Sequence, residues 1–100
     1  MKKENKYQSE LKKKLEKMFP DAMITKEDPT DTQGIPDLLI LNGNKWASLE
    51  TKKSEKEPHQ PNQDYYVEKM NNMSFSRFIF PENEESVLNE LFIFLNGGRE

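Results

Sequence analysis

The chain has 100 residues, of which 33% are hydrophobic and 33% charged, with ten aromatics, no cysteine, one histidine and a net charge of −3. That length suits one domain with one core, and the missing cysteines exclude disulfides, thiolate catalysis and cysteine-held zinc or iron–sulfur sites. A lone histidine excludes zinc sites built on several imidazoles, so a bound metal would be held by oxygens, as magnesium, manganese or calcium are.

The first seventeen residues hold seven lysines and three glutamates. They lack the apolar stretch of a signal peptide, and no apolar run approaches the roughly 18 to 20 residues of a membrane span, which predicts a cytoplasmic protein. Residues 6 to 18 carry Tyr7, Leu11, Leu15 and Met18 at helical spacing, and Pro20 stops that helix at Phe19. Ala22 to Thr25 reads as a short strand, followed by a turn-rich loop to Gly34 that includes Asp28 and Asp31. Gly34 suits a close backbone approach there. Ile35 to Leu41 is the most apolar run and reads as a buried strand. Asn42-Gly43-Asn44 is a hairpin connection, and Lys45 to Lys52 is its partner strand.

Lys53 to His59 is a charged loop. Pro61 opens a helix reaching Met70 or Asn72, with Gln63 on the face of Tyr66, Val67 and Met70. Phe75 to Phe80 is another strand, and Glu84 to Leu95 a last helix with acids in its first turn and Asn96-Gly97-Gly98 after it. The order αβββαβα, with two hairpin-type connections and then a helical crossover, predicts a small mixed sheet flanked by helices.

Alternation along the second hairpin strand puts Trp46, Ser48, Glu50 and Lys52 on one face, and Ala47, Leu49 and Thr51 on the other. Folding the hairpin on residues 42 to 44 brings Asp37 near Glu50. Two close carboxylates repel and lose hydration, and a divalent cation relieves both costs. Magnesium, with manganese as substitute, would take Asp37, Glu50, the Thr51 backbone carbonyl and water. Lys52 on the Glu50 face would stabilise charge on a phosphate. These parts suit phosphodiester hydrolysis by metal-activated water. Ser48 is a candidate for the groove lining, while His59, Tyr65, Tyr66 and Trp46 have ordinary loop or core explanations.

Gly34-Ile35-Pro36-Asp37-Leu38-Leu39-Ile40-Leu41 followed by Leu49-Glu50-Thr51-Lys52 resembles the PD-(D/E)xK nuclease signature, and most of all its VRR-NUC branch of small phage and bacterial nucleases related to Holliday-junction resolvases. The resemblance spans roughly residues 7 to 80, leaving the last helix outside. It implies a restriction-endonuclease-like core acting on DNA, with Asp37 and Glu50 as metal-binding acids, Lys52 as the catalytic lysine and Gln63 as the glutamine of the following helix. It also implies a metal-binding glutamate on the first helix. Glu10 is the best match, at the edge of the apolar stripe and equally placed for the surface. Lys12, Lys13, Lys53 and Lys56 are candidates for phosphate contacts. Phe92, Ile93 and Phe94 cannot share one helical face, which points to a homodimer contact. A phage or host replication or recombination partner fits the same resemblance. The alternative is an inactive nucleic-acid- or protein-binding module that keeps the fold.

Overall fold

A computed structural model describes residues 3 to 28 and 30 to 97. The elements are α1 (Lys3–Met18), β1 (Met23–Lys26), β2 (Leu38–Asn42), β3 (Lys45–Thr51), α2 (Pro61–Met73), β4 (Ser76–Ile79) and α3 (Glu84–Leu95). The result is a mixed α+β fold in which three helices pack on a four-stranded sheet of order β1-β2-β3-β4.

Each connection has a local cause. α1 closes where the Phe19 N–H reaches the Leu15 carbonyl at 2.9 Å and Pro20 follows, since the residue before a proline disfavours helical geometry. β2 and β3 are antiparallel, and Gly43 between them takes φ +64°, the left-handed conformation that a tight hairpin demands. β1 also runs antiparallel to β2, while β3 and β4 are parallel, so α2 is the crossover between them.

Most boundaries fall within a few residues of those expected. β2 begins at Leu38, not Ile35. Pro36 has no N–H to give a ladder, and the Asp37 carboxylate turns onto the Thr51 backbone N–H. α2 runs on to Met73, and the α3 bounds are those read from the sequence.

β3 is central and its residues 47 to 51 are buried, so both of its faces are covered. Ala47 and Leu49 join Leu11 and Leu15 of α1 and Val87, Leu88 and Leu91 of α3 in the apolar core. The opposite face of β3, with Ser48, Glu50 and Lys52, lies under α2, which reaches it through Met70 and Gln63. The sheet thus separates an apolar layer from a polar one. Phe94 packs on Phe75 with ring centroids 5.4 Å apart, whereas Phe92 and Ile93 are 49% and 59% exposed. Among the described residues no helix is long and apolar enough to cross a membrane.

Candidate active site at the end of the central strand

Glu50 near the end of β3 and Lys52 just past it share the face beneath α2, and both are almost wholly buried at 2% and 3% exposure. Burial of a charge is costly unless it is paired and hydrogen-bonded. Gln63 supplies one hydrogen bond to each. Its Nε2 donates to Glu50 Oε2 at 3.1 Å, and its Oε1 accepts from Lys52 Nζ at 2.7 Å. The same Oε1 accepts the Gln60 backbone N–H at 3.0 Å, which ties the carboxamide to the start of α2. Pro61 at the first helical position and Gln63 two residues on place this group where the helix begins.

The loop after β3 completes the surroundings of Lys52. The ammonium donates to the Pro58 carbonyl at 3.2 Å and lies 3.8 Å from Glu57 Oε2. Glu57 is held in turn by the Lys53 backbone N–H, which donates to its Oε1 at 2.7 Å.

Asp37 stands one residue before β2, the neighbouring strand. The pairing of Leu38 with Leu49, continued by one residue, sets Asp37 opposite Glu50. Asp37 Oδ2 accepts the Thr51 N–H at 3.0 Å and the Thr51 hydroxyl at 2.6 Å. Thr51 Oγ1 also accepts from Gln8 Nε2 of α1 at 3.2 Å. In an extended strand the N–H and C=O of one residue point to the same edge, so the Thr51 carbonyl faces the side of β3 on which Asp37 lies.

The residue of α1 that reaches this end of β3 is therefore Gln8, not Glu10. Two residues along a helix turn by about 200°. With Gln8 on Thr51, Glu10 is carried to the exposed face, where it lines a surface hollow with Lys13, Lys14 and Lys17. Gln8 was legible as the polar member of an 8, 11, 15 stripe. Glu57 was not, because a loop has no period.

The remaining candidates are dispersed. Lys12 pairs with Glu16 one turn on, at 2.8 Å, and Lys13 is exposed. Lys53 and Lys56 are exposed in the loop that holds Glu57. Ser48 does not line a groove: it is 1% exposed and hydrogen-bonded to Ser76 at 2.7 Å, because α2 and β4 close over it. His59 stacks on Phe78 at 3.8 Å and its Nδ1 lies 2.9 Å from Asp64. Asp28 accepts the Thr30 hydroxyl and N–H, and those bonds hold its carboxyl below the usual range. It acts as a turn-former.

Carboxylate and carbonyl oxygens are the donor types that a hard cation takes. Among the described residues no group of three or more His, Asp or Glu side chains converges to hold an ion. Apart from Glu57, which lies beside Lys52, the carboxylates at this strand end are those of Asp37 and Glu50, and an ion on them would take the Thr51 carbonyl and water as its other oxygens, the mixture that magnesium accepts. Comparison with family models, with curated proteins and with solved structures finds no match to the chain.

Proposed function

We propose that the chain is a magnesium-dependent DNA endonuclease with a restriction-endonuclease-like core, resembling the VRR-NUC branch of the PD-(D/E)xK superfamily. The observation that carries the reading is that one carboxamide, Gln63, holds Glu50 and Lys52 together, while Asp37 from the adjacent strand holds the residue between them. Residues distant in sequence gather two carboxylates, a carbonyl and an amine at one strand end.

Asp37, Glu50 and the Thr51 carbonyl would hold the cation, which would neutralise phosphate charge and make water more acidic. Asp37 orients Thr51 by engaging both of its donors. Gln63 fixes the Lys52 ammonium relative to Glu50. To reach a phosphate oxygen, Lys52 must exchange one of its partners, and Glu57 at 3.8 Å is the most loosely held. Lys53 and Lys56, exposed beside the site, would contact the DNA backbone without reading its sequence. A second copy of the chain would meet the first through Phe92 and Ile93 of α3.

Nicking of supercoiled plasmid tests this reading. Wild type should nick with magnesium or manganese and stop when the metal is chelated. Asp37→Asn and Lys52→Ala should each lose about a hundredfold or more, the usual cost of removing a group that stabilises transition-state charge. Equal nicking by all three proteins would assign the activity to a contaminant and reject the reading.

The burial of Lys52, with its ammonium engaged by Gln63, Pro58 and Glu57, favours a second reading: a nucleic-acid- or protein-binding module that keeps this arrangement for stability alone. It requires that purified wild type show no metal-dependent nicking.

A further inference from the structure

Against the Glu50–Gln63–Lys52 group lies a hollow of about 270 Å³ lined by Gln33, Gly34, Gln60, Asn62 and Gln63. Four of these five residues carry carboxamides and none carries a charge. The hollow is closed on one side by a close approach of the loop before β2 to the first turn of α2. Gly34 sits there at φ +90°, and a Cβ at this position would lie 2.7 Å from Asn62 Cγ and 2.8 Å from the Asn62 backbone carbon. The absence of a side chain at residue 34 is what lets Gln33 and Asn62 share one wall.

The lining selects among ligands. An isolated phosphate or carboxylate would find no cation in it, and a metal ion would find no carboxylate. A carboxamide offers one hydrogen-bond donor edge and one acceptor edge, the pattern that the edge of a nucleobase matches. The Gln63 amide is committed to Glu50, Lys52 and Gln60. The Gln60 side chain is engaged with the Gln63 backbone in the capping box that opens α2, so the lining carboxamides on which base binding turns are Gln33 and Asn62.

We propose that this hollow is a nucleobase subsite in which Gln33 and Asn62 hydrogen-bond the edge of one unstacked base. The placement of that base next to the phosphate at Lys52 rests on the nuclease reading, whereas base binding as such does not. The subsite gives the chain a means of preferring strands whose bases are accessible, as at nicks, flaps and branches, over continuous duplex.

Fluorescence anisotropy of the full chain with labelled single strands tests the proposal, with calcium replacing magnesium. One strand carries bases throughout and the other is abasic at its central positions. Wild type should bind the base-bearing strand about tenfold more tightly, within the range for one bidentate base contact. Asn62→Ala and Gln33→Ala, in different segments, should each bring the ratio close to one. Equal affinity of wild type for the two strands would overturn the proposal, as would a ratio unchanged in both variants. Plasmid nicking by the same preparations separates the two readings. A ratio near ten without metal-dependent nicking supports the subsite and rejects the nuclease, and nicking with a ratio of one does the reverse.

Discussion

Asp37 holds Thr51 by both of that residue's donors, the backbone N–H at 3.0 Å and the hydroxyl at 2.6 Å. The contact does what a ladder bond would do if β2 began one residue earlier, and it leaves a carboxylate at the strand end. Thr51→Val keeps the shape and the N–H but removes the hydroxyl, so Gln8 Nε2 loses its acceptor and Asp37 one donor. The expected cost is about 1–3 kcal/mol, since a buried polar group left without its partner forfeits its desolvation energy. Urea unfolding checks it, and a midpoint equal to wild type would show that the pair contributes nothing net.

Gln63 has a larger stake. Replacing it with leucine preserves volume, yet withdraws a donor from Glu50 and an acceptor from Lys52, both almost fully buried. Breaking one member out of a buried charged network costs more than its net contribution to stability, so Gln63→Leu should lose about 2–4 kcal/mol. Nicking, if present in wild type, should fall even at temperatures where the variant remains folded. A stable, fully active Gln63→Leu protein would contradict the positioning role.

The placing of Asp37 across the hairpin from Glu50 was legible from hairpin arithmetic, because a turn at residues 43 and 44 leaves little choice of register for the strands on either side. The α3 bounds were equally plain, with Glu84 and Glu85 in the first turn and Gly97 after the last. What could not be read were the facts set by tertiary cover. Alternation put Ser48 on the Glu50 face but could not say that α2 and β4 bury it there. Helical spacing placed Glu10 at the edge of a stripe, where a rotation of one position decides between site and solvent. The enclosure of Lys52 by Glu57 and Pro58 depends on an aperiodic loop, whose path no spacing rule encodes.

Tyr7 ties α1 to the start of α3 by donating to Glu84 Oε1 at 2.8 Å. Burial first, then the hydrogen bond and charge of Glu84 and the charge of Glu82, push its phenol above the ordinary tyrosine range. A raised pKa in the folded state means stability that is fully present below the unfolded value, about 10, and lost progressively as pH rises above it. Tyr7→Phe should therefore cost about 1 kcal/mol at neutral pH, where a hydrogen bond is lost. The gap between the two proteins should shrink in urea titrations taken above pH ~10. A gap that is constant or widens with alkalinity would show that the phenol is not held in its neutral form by the fold.

Phe92 and Ile93 stand on the outer side of α3, 49% and 59% exposed, while their neighbours Leu91 and Leu95 face the core. Phe92 lies 6.0 Å from Phe19 between ring centroids, so the exposed pair continues an apolar surface that begins in the core. Adjacent apolar residues of this size on a helix whose other exposed residues are Glu85, Ser86, Asn89 and Glu90 favour coverage by a second copy of the chain, since water contact with them is unfavourable by roughly 25 cal/mol per Å². Sedimentation velocity should show a concentration-dependent dimer for wild type and a monomer for Ile93→Asp, with unfolding midpoints close to one another because the side chain makes little of the core. Only monomer for wild type at the highest attainable concentration would reject the dimer, and an endonuclease acting on one strand at a time would then be the form that the proposed activity takes.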